Sequence, residues 1–264
     1  MAHANRRPNL RAKLGPVCVR HLLFSLGVGL ASCSLVVHSQ MPLQAAAEPQ
    51  SLVSRLEKAL NAPDQEGLDA LIAPEERERL APRMRLFAQR FRNARWALRA
   101  GERLADGRLP VSVAVSGSTQ KDGLLFSLQA QQQLALRTEA GLISGQEVLR
   151  DQSILKTANA ALPVTLQIPD AVLTGSRYDV DVVLDEPLGE ALLAGGLTAL
   201  SAAQVKRQAS PDIALEPLGG GGLFKSVQAP FQPGVQTWAA MLVHPDGVIT
   251  VTKQVRVVND RSQL

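Results

Sequence analysis

Three aspartates, Asp179, Asp181 and Asp185, share one strand parity opposite Tyr178, Val180, Val182 and Leu184, with Glu186 just beyond. Carboxylate oxygens gathered at the end of a β-strand are calcium ligands, which makes this stretch a calcium candidate. Residues two apart on a strand lie about 7 Å from each other, so the same pattern also describes a solvated or arginine-paired face. His244 is the one histidine beyond His38 and stands in a turn before Pro245, so a Ser-His-Asp triad would have to use it. No G-x-S-x-G accompanies it, and the ligands for zinc or iron are missing. Gly219-Gly220-Gly221-Gly222-Leu223-Phe224-Lys225-Ser226 has its lysine two residues too late for a phosphate loop and lies among strands, which reads as a glycine turn. Ten arginines between Arg77 and Arg108 alternate with Glu75, Glu76, Glu78, Glu102 and Asp106. Arg79, Arg83 and Arg90 among them outline a basic surface for an acidic partner or anionic headgroups, at about 1 kcal/mol per charge near a bilayer. A solvated face of helix pairs and cross-strand pairs is the plainer reading of the same group.

The cysteines carry a different chemistry. Cys18 and Cys33, the only two, lie in a leader where Arg6, Arg7, Arg11, Lys13 and Arg20 precede the apolar run 22–37, and no acid occurs before Glu48. A basic arm feeding an apolar core is the layout of an export signal. The run of about 16 residues is short of the ~20 that a spanning helix needs. Three outcomes stand. Leu30-Ala31-Ser32-Cys33 resembles a bacterial lipobox, which would make Cys33 a lipidated first residue, although Leu35, Val36 and Val37 follow where a polar tether is more usual. Ala45-Ala46-Ala47 offers a cleavage site that leaves Glu48 first. An uncleaved run would anchor the chain with its basic arm inside. Arg6-Arg7 is too far from the apolar core, and too close to Pro8 and Asn9, for a twin-arginine signal.

The leader also explains the charge. The chain has a formal net charge of +4, but beyond residue 47 there are 23 basic against 24 acidic residues. Global basicity therefore gives no support to nucleic-acid binding. With no cysteine beyond the leader, the folded part has no disulfide, thiolate metal site or cysteine nucleophile.

The elements that must position these residues follow from periodicity. Leu52, Leu56 and Leu60 predict a helix from Ser51; Leu68, Leu71 and Ile72 predict a second, short one capped by Asp64. A third has Leu80, Met84, Phe87 and Phe91 as its buried stripe, with Pro82 tolerated or marking the true start. From Ala94 the period falls to two, and turns at 105–108, 121–123 and 138–141 separate four strands. The longest puts Leu124, Phe126, Leu128, Ala130, Leu134 and Leu136 on one face and Ser127, Gln129, Gln131, Gln133 and Arg137 on the other. Helices followed by a meandering antiparallel sheet make an α+β unit. The element order over 51–155 resembles the NTF2-like superfamily, without a residue motif. The resemblance implies a pocket between helices and sheet, where Trp96 and Gln132, which has the apolar parity, would point. A bulge, or a Gln satisfied in the core, is the alternative for Gln132.

Beyond Pro163, turn signals recur about every ten residues, as in a β-sandwich. Strands are expected over 164–168, 177–184, 192–200, 213–215, 223–227, 236–243 and 248–258, an all-β immunoglobulin-like domain with Trp238 in its core. The wording from Pro169 to Asp179 and from Pro187 to Leu197 is similar to uncharacterised exported proteins of cyanobacteria, a likeness that brings no activity with it. The expected organisation is an export signal or anchor over 1–47, an NTF2-like α+β domain over 48–158 and the sandwich over 159–264. The expected function is a non-catalytic binding or assembly module, exported to a periplasm or thylakoid lumen. No cofactor is expected; the partner is a protein or small molecule, and membrane association runs through the N-terminal segment, with no nucleic acid. The alternative is a hydrolase or isomerase using the N-terminal pocket.

Overall fold

Four-residue spacing of Leu52, Leu56 and Leu60 puts them on one helix face. The computed structural model describes residues 11–13, 48–62, 67–157, 162–185, 191–207 and 211–264; it forms this helix, α1, over Glu48–Asn61 and buries all three leucines. Cys18, Cys33, Asp64, Ala45 to Ala47 and Glu186 lie outside the described residues. Helix α2, Pro74–Arg90, starts on a proline, whose missing N–H costs nothing there, and carries Glu75 and Glu76 in its first turn. Pro82 is tolerated inside it. The short helix expected around Leu68 is replaced by tight turns, with Ala70 N bonded to Gly67 O and Leu71 N to Leu68 O. Ile72 then bridges to Ile143, so the segment is used as a strand fragment, too short to propagate a helix.

The strands are β1 (Arg11–Lys13), β2 (Arg95–Ala100), β3 (Leu109–Lys121), β4 (Leu124–Glu139), β5 (Leu142–Thr157), β6 (Val164–Gln167), β7 (Ala171–Leu173), β8 (Arg177–Asp179) and β9 (Asp181–Leu184). After β10 (Leu193–Leu200) and helix α3 (Ala202–Lys206) come β11 (Asp212–Ala214), β12 (Glu216–Leu218), β13 (Gly222–Leu223), β14 (Ser226–Gln228), β15 (Gly234–His244) and β16 (Gly247–Val258). The described chain is rich in strand, with few helices and with antiparallel pairing nearly throughout. Two hairpins turn on two residues with positive φ, Asp122-Gly123 and Ala140-Gly141, the backbone that matches strand twist.

The chain forms two compact units, one within 21–116 and 131–150, the other within 1–20, 117–130 and 151–264. In place of one cut near residue 158, β3, β4 and β5 each supply a stretch to both units. β4 and β5 have 16 residues each, or roughly 50 Å at about 3.3 Å per residue, longer than the core of one ~100-residue domain.

In the first unit α1 and α2 cover strands in the order β5, β4, β3, β2. β2 is at the margin of the sheet, where outward N–H and C=O groups would lack partners. Side chains of α1 supply them. Asn61 Oδ1 accepts from Trp96 N at 3.0 Å, Asn61 Nδ2 donates to Trp96 O at 2.8 Å, and Glu57 Oε2 accepts from Leu98 N at 2.7 Å. Near the start of β5, Ile143 N donates to Leu71 O and Ala73 N to Ile143 O, both at 2.9 Å.

In the second unit the order is β12, β10, β15, β16, β5, and β7 pairs with β16 in parallel. One face of this sheet packs Trp238, Ala240, Leu242, Val251 and Val255 against Tyr178, Val180, Val182 and Leu184. A smaller cluster of Leu200, Ile213, Ala239 and Met241 is separate from it. Gly196 is required there, because a Cβ would lie 2.1 Å from Ala214 O. The strand expected over 177–184 breaks at Val180, whose N–H goes to Lys225 O at 2.8 Å; β8 then pairs with β14, and β9 with β13 and β6. Helix α3, unforeseen, has its signal in Ser201 and Gln204, a complete capping box.

Replacing Asn61 by Ala should cost about 1–3 kcal/mol, because it strands two backbone groups of Trp96 at a covered edge. Glu57→Gln, which keeps an acceptor for Leu98 N, should cost less. Urea denaturation of the two variants checks both, and equal stability of Asn61→Ala and wild type would show that water serves the edge as well.

Candidate functional site

The two residues expected to line a pocket are both packed inside. Trp96 is 4% exposed and Gln132 3%. Trp96 meets Phe87 edge to face at 5.3 Å, and Phe87 stacks on Phe91 at 5.2 Å, so three aromatic rings fill the place expected for the pocket. Gln132 follows the buried parity of Leu128, Ala130 and Leu134. The gap left nearby, walled by Leu56, Met84, Leu98, Val113 and Leu136 among others, has a volume of about 10 Å³. That is room for one water at most, and the walls offer it no polar group.

The basic trio is less open than the sequence suggests. Arg79 is ion-paired with Glu76, which is itself buried in the helix stripe. Arg83 is half-buried; burial, and then the like charge of Arg79, lower its pKa from the ordinary guanidinium value. Arg90 is also half-buried. Arg79 is exposed despite its ion pair, and Arg85, Arg92, Arg95, Arg99 and Arg103 of the same group are exposed too. Strand parity could have singled out Arg95 and Arg99, since they alternate with Trp96 and Leu98.

A polar groove of about 510 Å³ lies in the same unit, lined by Asp106, Arg108, Arg137, Thr138, Glu139 and Glu147. Arg108 donates from Nε to Asp106 Oδ2 at 2.6 Å and from Nη1 to Glu147 Oε2. Burial opposes the charge of Arg108, but its hydrogen bonds to Glu147 and Asp106 outweigh that and raise its pKa. The backbone N–H of Arg108 leads the causes that hold Asp106 below the usual carboxylate range. The arrangement keeps both groups charged, which suits a fixed ion pair better than proton transfer.

The three aspartates do not converge. The break at Val180 assigns Asp179 to β8 and Asp181 to β9. Asp181 Oδ1 accepts from Lys225 N at 3.3 Å and Asp185 Oδ2 from Thr165 Oγ1 at 3.0 Å. Among the described residues no three His, Cys, Asp or Glu side chains are grouped to hold a metal ion. His244 Nδ1 accepts from Asp246 N within its own turn. The glycine loop leads into β13, and Gly221 O accepts from Leu184 N, so no helix N-terminus follows it.

Two constellations in the second unit went unforeseen. Tyr178 OH donates to Gln236 Oε1 at 2.6 Å and accepts from Trp238 Nε1 at 2.9 Å, while Lys225 Nζ stands 5.6 Å from the centre of the Trp238 ring. Lys253, 2% exposed, is ion-paired with Asp170. Its signal was a lysine at the inward parity of Val251 and Val255. Among the described residues no helix is long and apolar enough to cross a membrane.

Residues 159–258 match a family described as a domain of unknown function, DUF8623. No curated protein matches the chain.

Tyr178 is the single tyrosine, so ultraviolet absorbance titration reports it alone. Burial raises its pKa, and the Trp238 hydrogen bond offsets this in part. The phenol should therefore ionise above the ordinary value of about 10. Because the fold favours the neutral form, stability from this group is intact below that ordinary value and is lost as pH rises through the raised one. A midpoint at or below the ordinary value would contradict this environment.

Proposed function

We propose that the protein is an exported, non-catalytic binding or assembly module: an NTF2-like domain followed by an immunoglobulin-like sandwich, held at a membrane by its N-terminal segment. The observation that carries this reading is the filled interior of the first unit. Turnover needs a concave space with convergent polar groups, and the space between helices and sheet is about 10 Å³ with apolar walls. The NTF2-like reading is supported by the order of two helices and four antiparallel strands, with the helices packed on the sheet. The immunoglobulin-like reading is supported by two β layers meeting around Trp238. The family match over 159–258 falls within the expected second domain. Surfaces, in such a protein, do the work. The alternative of a hydrolase or isomerase would have to move from the interior to the Asp106–Glu147 groove, where Arg108 is already paired with both Asp106 and Glu147.

Export and anchoring rest on the basic arm, on the apolar run 22–37 and on Cys33 in its lipobox-like setting. Mass spectrometry of the native amino terminus is the test. A diacylglyceryl mass on Cys33, or an intact leader in the membrane fraction, is the expected result. A free Glu48 would keep export and remove the anchor, and a soluble pool retaining Met1 would overturn both. Turnover of an ester or glycoside substrate that vanishes in Glu147→Gln would overturn the non-catalytic reading.

A further inference from the structure

From Arg79 to Gly101 the chain has seven arginines and no carboxylate. Two of them share an open sheet face. On β2, Arg95, Ala97 and Arg99 are exposed while Trp96 and Leu98 are buried. Their cross-strand neighbours are Ser116, Ala114 and Ser112, also exposed, and the next strand, β4, adds exposed Gln131 and Gln133. Among the described residues neither Arg95 nor Arg99 is ion-paired. The face is therefore a flat grid of guanidinium, hydroxyl and amide groups around two alanines, without an acid or a large apolar side chain. Along β2 the two guanidinium stems stand about 13 Å apart, and neighbouring strands about 4.8 Å.

We propose that this face binds an acidic polysaccharide, an extended polyol carrying carboxylates. This deepens the binding-module reading and rests on it. Charge complementarity calls for an anion, and planar guanidinium forks suit carboxylates. Serine hydroxyls and glutamine amides both donate and accept, as a chain of sugar hydroxyls requires. The small side chains of Ala97 and Ala114 leave a level floor on which a sugar ring can rest. Other anionic partners fit less well. A protein interface is built on aromatic and apolar anchors, and this face has none. Single-stranded nucleic acid stacks its bases on exposed rings, whereas Phe87, Phe91 and Trp96 are all buried. A lipid surface would use exposed apolar side chains; Leu86 is on α2, and Leu124 and Leu125 are at the start of β4, six or more residues before Gln131.

The test is calorimetric titration of the mature protein with polygalacturonate, with neutral dextran, phosphatidylglycerol vesicles and poly(U) in parallel. Polygalacturonate should bind, more weakly as salt rises, and dextran should not. The double variant Arg95→Ala/Arg99→Ala, at solvent-exposed positions and checked for unchanged melting, should bind at least about tenfold more weakly. Arg85→Ala, on the exposed side of α2, should bind as wild type does. Absence of polygalacturonate binding, or an equal loss in Arg85→Ala and the double variant, would overturn the proposal. Tighter binding to vesicles or to poly(U) would also overturn it and would assign the face to lipid or to nucleic acid. A negative result with polygalacturonate leaves the module reading in place, because that reading fails separately, on detection of turnover.

Discussion

The helical unit depends on how the margin of its sheet is closed. Asn61 engages both backbone groups of Trp96, and Glu57 takes the N–H of Leu98. A side chain bonded to the outward backbone groups of residues 96 and 98 fixes the register of β2 against α1, and with it the parity of the strand. Everything else on that strand follows. Trp96 and Leu98 must face the helices, so Arg95, Ala97 and Arg99 must face away.

The same parity decides what the unit can do. With Trp96 turned inward it meets Phe87, Phe87 meets Phe91, and the space expected between helices and sheet is filled. A few hundred Å³ of apolar cavity would cost several kcal/mol to maintain. Closing it with three rings contributes stability. The outer face of the same strand presents arginines beside serine and glutamine.

The β-rich unit is ordered by a different constraint. Lys253 sits on the inward face of β16 and is held there by Asp170, since an unpaired ammonium at 2% exposure could not be sustained. Asp170 O also accepts from Arg256 N at 2.9 Å, so the segment that delivers β7 beside β16 is pinned at both its side chain and its backbone. The Tyr178 hydroxyl, between Gln236 and the indole of Trp238, ties the two β layers together in the same way, its donor and its acceptor both used.

By itself the sequence determined the local alternations: α1 and α2, the two hairpins turning at Gly123 and Gly141, and the long strands β10, β15 and β16 of the second half. These follow from period and turn residues, which act over a few residues. It also placed Gln132 on the buried parity and Trp238 in a core. Only the tertiary structure decided that the pocket residues are packing residues, that Arg79 and Arg83 are paired or half-buried while Arg95 and Arg99 are open, and that Asp179, Asp181 and Asp185 diverge. Each of those outcomes depends on a partner far along the chain. Phe87 lies against Trp96, Asn61 against the same residue's backbone, and Lys225 against Val180, where its carbonyl splits a strand that alternation alone would have kept whole. The long strands made the same point about domains. β4 and β5 have sixteen residues each and contribute to both units, so the limits of the units are set by packing and not by a linker.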